Sequence, residues 1–366
     1  MDKLRVVLLF GGRSSEHSIS CATAAGVLQA IDRDRYELIP VGITRAGAFV
    51  LEADDPSRFA LDPERLPEVH DNGTRVRWPD SSASRELRVT TASGEESSLG
   101  DIDLVFPILH GPFGEDGTIQ GLFELLGLPY VGSGVLASAL GMHKHFTKTA
   151  LQGAGIPVAP WRTVTAREWA DDPERVRADA AALGLPQFVK PARAGSSVGV
   201  SRVAEAGDLD AALELAFAED DTVLIEAAMV GREVEIAVLG GAPGERPRAS
   251  VAGEIVLTGD GFYDFAAKYL DAPGVDLVCP ADLGEGRLEE MRDLAIRAFE
   301  AIGAEGLARV DFFLTEDGFV VNELNTMPGF TPISMFPRCW QESGVTYPEL
   351  VDELIRVGLA RGVRLG

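Results

Sequence analysis

The segment ARVDFFLTEDGFVVNELN holds the residues best suited to chemistry. An Asp-Gly pair between two β-rich runs signals a hairpin. Glu323 and Asn325 stand two apart on its return strand and share a face, and Asp311 on the partner strand can point to the same place. Two carboxylates and an amide oxygen make a hard-oxygen set for Mg²⁺, with phosphate oxygens completing the coordination. Arg309 lies on the face of Asp311, placed to steady a developing oxyanion. A half-buried hairpin with a wet polar face gives the same alternation. The continuation NTMPGF, where Pro328 and Gly329 fix a turn beside the acidic residues, favours the site.

Phosphate chemistry is suggested by FVKPARAGSSVG. Lys190 ends an apolar strand, where an ammonium can meet phosphates as a point charge. Gly195, Ser196, Ser197 and Gly199 form a loop whose backbone amides could wrap phosphate oxygens. The pattern is not GxxxxGK[ST], so no P-loop is indicated. In VLIEAAMVGREVEIAVL, Glu226 either accepts from an adenine amino group or begins a hinge. Glu233 either binds ribose hydroxyls or sits in a solvated turn. The loop GGRSSEHSIS opens a helix, whose N-terminus favours anions; Glu16 there could instead pair with a substrate ammonium. His110, in LHGPFGEDG, is either a structural histidine or a ligand-facing one. GDGFYDFAAKYLD, with Lys268 and Tyr269, reads as an aromatic-packed loop or as a lid over something charged.

The elements that must position these groups form an α/β chain. RVVLLF is a buried first strand, followed by a helix over HSISCATAAGVLQAI and further strands in YELIPVGITRAGAFV. DIDLVFPILHG is another buried strand. Residues 52–100 are poor in long apolar runs and read as a weakly structured insertion with short strands at most. A helix is expected over Ser138 to Gln152, then a strand at QFVKPA. A charged helix should span Leu288 to Ile302, and YPELVDELIRVGLARG should be a surface helix. Three units follow: 1–134 with its insertion, 135–248 and 249–366.

The chain has 366 residues, 46% apolar, and a net charge of -24. That charge repels nucleic acid and anionic membranes, so no partner of either kind is expected. No apolar run is long enough to span a membrane, and the N-terminal run is too short for a signal peptide. Cys21, Cys279 and Cys339 are widely spaced and odd in number, with neither a zinc pattern nor a disulfide framework, which suits a reducing compartment.

HGPFGEDGTIQG, GMHKHFTK, FVKPARAGSSVG, GFYDFAAKY, ARVDFFL and NELNTMPGFT, in this order, resemble the D-alanine–D-alanine ligases, enzymes of the ATP-grasp superfamily. The resemblance runs from Gly11 to about Tyr347 and passes over 52–100. It implies an ATP-grasp fold, α+β in its ATP-binding part, behind an N-terminal Rossmann-like domain. It implies a cytoplasmic homodimer that uses ATP and two Mg²⁺ (or Mn²⁺) to join two D-alanines through an acylphosphate. Lys144 and Lys190 would contact phosphates, Lys268 would reach the γ-phosphate, and Glu226 and Glu233 would hold adenine and ribose. Asp311, Glu323 and Asn325 would coordinate the metals. Glu16 would bind the first ammonium in a network with Ser196 and Tyr269, and Arg309 would stabilise the tetrahedral oxyanion. His110 would face substrate, and Ser334 and Met335 would contact the second substrate. His143 stands where the family usually has aspartate, and Ala194 where it often has Glu or Leu. A ligase joining D-alanine to D-lactate, or a nucleotide-binding regulatory protein without turnover, would share much of this pattern.

Overall fold

In the computed structural model, which describes residues 3–62, 65–195, 197–257, 274–284 and 286–363, the first strand is β1 (Leu4–Gly11). It pairs in parallel with β2 (Tyr36–Ile43) on one side and β7 (Leu104–Ile108) on the other. β3 (Phe49–Leu51) adds antiparallel to β2. A parallel central strand is covered on both faces, which is why RVVLLF is apolar without alternation. Val6, Leu8 and Phe10 enter one core and Val7 and Leu9 the other. The helices His17–Ala30 and Tyr347–Arg361 close the first core. The second is closed by helix Thr118–Leu126 and by a small sheet of β4 (Arg75–Arg77), β5 (Glu86–Thr90) and β6 (Glu96–Asp101).

Segment 52–100 is therefore better ordered than its composition suggests. Val76 and Leu87 are buried against the second core, while Arg75, Arg77 and Arg88 point outward and pair with acidic neighbours. Few apolar positions suffice because all of them face one layer. The final helix packs as its apolar spacing predicts. It buries Leu350, Val351, Leu354, Ile355 and Val357 on one face, and it starts on a capping box in which Thr346 and Glu349 bond each other's backbone N–H.

The middle of the chain forms an antiparallel sheet in the order β10 (Ser201–Val203), β9 (Gln187–Pro191), β11 (Thr222–Ala227), β8 (Trp161–Thr165). Val189, Val223 and Ile225 face the helices Pro173–Ala181 and Leu209–Phe217. Alternation then turns Phe188, Lys190 and Glu226 to the opposite face. The single helix expected over Ser138–Gln152 is two, Val135–Met142 and Lys144–Gly153, broken at His143, whose backbone is extended. The Lys144 N–H donates to the Ala192 carbonyl (3.0 Å) instead of back into the helix, and the Thr147 hydroxyl takes the Leu140 carbonyl. The break thus ties the helix to the end of β9.

The last sheet runs β14 (Val275–Val278), β13 (Arg248–Leu257), β12 (Arg232–Leu239), β15 (Leu307–Thr315), β16 (Gly318–Asn325), antiparallel throughout. Val234, Ile236, Val310 and Phe312 pack on helix Arg287–Ala301. The alternate positions Glu235, Arg309 and Asp311 face the other way.

Gly306, just before β15, joins this sheet to the first unit. Its φ is +70°, and a Cβ there would lie 2.9 Å from the backbone of Gly132. Gly306→Ala should lower stability by about 1–3 kcal/mol through strain and backbone contact, seen as a lower urea midpoint at unchanged slope. An unchanged midpoint would show that the two backbones separate freely.

Candidate active site

Cross-strand register builds one wall of the site. Asp311 stands opposite Glu235 on β12 and Glu323 on β16, so three carboxylates form a row over three strands. Arg309 stands opposite Asn325. The Arg309 guanidinium donates twice to Asp311, at 2.7 Å from both Nε and Nη2, and its Nε lies 3.1 Å from Glu235 Oε2. Bidentate pairing of this kind fixes orientation as well as charge. Burial alone would lower the Arg309 pKa, but Asp311 and Glu235 prevail and keep it well above its ordinary value. Asn325 Nδ2 donates to Asp311 Oδ2 (3.2 Å).

Two carboxylates and the Asn325 amide thus share one face, hard oxygen donors that fit a divalent cation once the amide presents its oxygen. Among the described residues, no three His, Cys, Asp or Glu side chains already converge as a metal site. The wall also contains a bulge. Register passes from Asp311↔Glu323 to Phe312↔Val321, leaving Asn322 as the extra residue.

The facing wall is cationic. Glu226 is buried between two lysines, with Lys190 Nζ 3.2 Å from Oε1 and Lys148 Nζ 3.1 Å from Oε2. Lys148 and Glu226 are each 2% exposed, and their contact is an ion pair without hydrogen-bond alignment. Burial would raise Glu226, yet Lys190 and Lys148 together hold its carboxyl below the usual range. Lys148 is pushed down, because burial and repulsion from Lys190 outweigh its one carboxylate. Lys190 also reaches Asn322 Oδ1 at 3.4 Å, so the bulge touches the opposite wall. Lys144 Nζ donates to the Ala194 carbonyl (2.6 Å) and so sits against the glycine-serine loop.

The N-terminal unit supplies the floor. Glu16 is the N-cap of helix His17–Ala30 and is buried. A Cβ on Gly111 would lie 3.0 Å from its Oε2 and one on Gly195 3.2 Å, so both loops approach the carboxylate closely, and the φ of +72° at Gly111 favours glycine there. Ser14 Oγ donates to the His110 carbonyl (2.7 Å). His110 is buried; its Nδ1 bonds the Met327 carbonyl (3.1 Å) and its Nε2 has no partner among the described residues, so it is able to bond a ligand atom. Glu115, half-buried, accepts from the Gly111 N–H (2.5 Å). Burial first, then the neighbouring Glu16, raise its carboxyl to about 8, against the pull of the Gly111 and Met327 N–H groups. His17, by contrast, is structural: Nε2 accepts from Val69 N and Nδ1 bonds the Gly12 carbonyl. A cavity of about 230 Å³ beside His110 is lined by Gly12, Arg13, Phe49, Leu109 and Phe113.

Ser334 caps helix Met335–Glu342, with its hydroxyl 2.6 Å from that of Thr331. Met335 lies over Gly253, where a Cβ would meet its Sδ at 2.4 Å. Glu233 is half-buried on the face of Glu235. Ser196, Lys268 and Tyr269 lie outside the described residues, as does the whole segment Gly259 to Asp271. Lys148, Glu235, Asn322 and Glu115 were not singled out from sequence. Glu235 had a usable signal, its spacing of two from Glu233 in REVEIAVL; the others depend on tertiary contacts.

Two family descriptions match the chain: D-ala D-ala ligase N-terminus over residues 5–133 and D-ala D-ala ligase C-terminus over residues 150–356. A D-alanine–D-alanine ligase of Kineococcus radiotolerans is 54% identical over 367 residues, covering 98% of this chain and 97% of its own. One from Pseudarthrobacter chlorophenolicus is 52% identical over 362 residues, covering 98% and 95%. Among solved structures, the VanG D-Ala:D-Ser ligase of Enterococcus faecalis superposes with a TM-score of 0.83 at 33% identity, covering 98% of this chain and 100% of that one. The D-alanine–D-alanine ligase of Coxiella burnetii gives 0.81 at 34%, covering 99% and 95%.

Removing one partner of the buried pair should be severe. Lys148→Met is expected to cost about 3–5 kcal/mol in chemical denaturation, and adding Glu226→Gln should recover part of it; a loss under about 1 kcal/mol would mean that water reaches the pair. Glu115 gives a pH signature. Between its ordinary 4.5 and about 8, the folded protein keeps a proton that the unfolded chain has released. Stability should therefore fall as pH rises through that window and level off above it. Glu115→Gln should flatten this part of the profile.

Proposed function

The chain belongs to the D-alanine–D-alanine ligase family, and on that premise we propose how its residues divide the work of one reaction, the ATP-dependent joining of two D-alanines to D-alanyl-D-alanine for peptidoglycan synthesis. The fold is ATP-grasp, shared with solved ligases along nearly the whole chain. One observation carries the residue-level reading: the block Arg309–Asp311–Glu323–Asn325 on one wall faces the Lys190–Glu226–Lys148 cluster on the other. A polyanion fits between walls that offer a carboxylate metal set on one side and ammonium groups on the other.

Asp311, Glu323 and Asn325 would hold two divalent cations, Mg²⁺ or Mn²⁺, which when bound neutralise phosphate oxygens. Lys144 and Lys190 contact the phosphates, with Lys268 assigned to the γ-phosphate by its motif alone. Lys190 then exchanges its contact with Glu226 for phosphate, and Lys148 keeps that carboxylate paired while it and Glu233 hold the nucleoside. Glu16 binds the ammonium of the first D-alanine, and His110 Nε2 faces the same substrate. A carboxylate oxygen of this substrate attacks the γ-phosphorus, and ADP leaves, giving a D-alanyl phosphate. The neutral amine of the second D-alanine attacks the carbonyl carbon, with Ser334 on its carboxylate and Met335 against it. Arg309 stabilises the oxyanion; phosphate leaves and the amine loses a proton. Ser196 and Tyr269 join Glu16 by resemblance.

The units 1–134, 135–248 and 249–366, a homodimer and a cytoplasmic setting complete the proposal. The units are supported by the separate sheets, and the other two rest on the resemblance. The VanG neighbour motivates a second reading in which the second amino acid is D-serine.

Phosphate release from ATP should be fastest with D-alanine alone, and a mixed D-alanine and D-serine or D-lactate product dominating in competition would replace the first reading. Arg309→Lys keeps the charge but loses the bidentate pairing, so kcat should fall about 100-fold or more with the fold unchanged by circular dichroism. Wild-type kcat in that variant would remove Arg309 from the oxyanion role.

A further inference from the structure

Cys279 Sγ lies 3.6 Å from Cys339 Sγ, although 60 residues separate them in sequence. Both are free thiols. Cys279 directly follows β14 at the sheet edge and is half-buried, whereas Cys339 is buried on helix Met335–Glu342. Arg338 Nη1 donates to the Leu277 carbonyl (3.1 Å), which holds the helix against β14 and keeps the sulfurs together. The two thiols are unequal. Cys279 is lowered, first by its hydrogen bond with Cys339 and further by Arg338; Cys339 is raised by that bond and by burial. The more exposed sulfur is thus the better thiolate, and its neighbour is placed to resolve an oxidised form.

We propose that Cys279 and Cys339 form a peroxide-oxidisable pair that closes to a disulfide joining β14 to helix Met335–Glu342. The Cys279 thiolate attacks a peroxide oxygen, the O–O bond breaks, and hydroxide leaves, giving a sulfenic acid. Cys339, losing its proton to solvent, attacks that sulfur, the S–O bond breaks, and a second hydroxide leaves. In total, two thiols and one hydrogen peroxide become one disulfide and two waters.

Closure has a mechanical consequence. A disulfide needs sulfurs about 2.05 Å apart, so the 3.6 Å gap closes by rotation of the two side chains together with approach of the helix to β14. Cys339 lies one turn beyond Met335, on its face of the helix. The displacement therefore reaches Met335 over Gly253 and the capping Ser334, the pair assigned to the second substrate. That effect rests on the proposed function; the bridge itself rests on the thiol geometry.

The test treats the full-length enzyme with hydrogen peroxide and maps peptides without reduction. The expected result is a cross-link of the Cys279 and Cys339 peptides, reversed by dithiothreitol, and absent in Cys279→Ala and Cys339→Ala. Cys21, buried in the first core, should stay free. The oxidised enzyme should show a KM for D-alanine raised about threefold or more, with little change in the KM for ATP and no change in either Ala variant. Thiols that stay unlinked, or oxidation that stops on Cys279 alone, would overturn the bridge. A bridge with an unchanged KM would overturn the coupling to Ser334 and Met335. A reduced enzyme that releases no phosphate with D-alanine would count against the functional reading instead, since the peptide map decides the bridge independently.

Discussion

Three carboxylates in register, Glu235, Asp311 and Glu323, share a face with the Arg309 guanidinium, and the site is organised around that concentration of charge. Like charges on neighbouring strands repel, so the row persists only with Arg309 tied into it and with room for further positive charge. The opposite wall has the complementary excess, two ammoniums on the one carboxylate of Glu226. Each wall is incomplete by itself, and the contact that Lys190 makes across to Asn322 is long and weak at 3.4 Å. A strongly acidic protein that takes a polyanion needs such a local reversal of field.

Strand alternation makes that charge pattern rigid. Val234, Ile236, Val310 and Phe312 anchor their strands in the core behind the site, so Glu235, Arg309 and Asp311 cannot turn without unpacking it. The Asn322 bulge is the exception, an extra residue that breaks strict alternation and lets two neighbours, Asn322 and Glu323, both serve the cleft. The glycines at 111 and 195 have a related effect from the other side, since they let two loops close on the Glu16 carboxylate.

Local chemistry was legible in the sequence and tertiary pairing was not. Asp311, Glu323, Asn325 and Arg309 could be read because a hairpin fixes its own register. Lys190 could be read because it ends a strand beside a small-residue loop. Lys148 is a polar position of a short helix, and its sequence neighbours do not show that it is buried against Glu226. The break at His143 was hidden because the bond that stabilises it comes from Ala192. Segment 52–100 was underestimated for the same reason: its few apolar residues gain their meaning from the layer they cover. Cys279 and Cys339, far apart in sequence, gave no hint of their contact.

The helix Tyr347–Arg361 closes the core begun by β1 and helix His17–Ala30, and it fastens there through Tyr36 to Asp352 and Arg361 to the carbonyls of Tyr130 and Gly132. On the ribosome, the first strands emerge long before the segment that covers them. The nascent N-terminal unit must wait with one apolar face exposed while the other two sheets are made. The exposure of that face until the helix arrives follows from the topology, in which sequence-distant segments complete one core. The last helix acts as a lock on the first unit, so that core is closed only once residues 347–361 have been made.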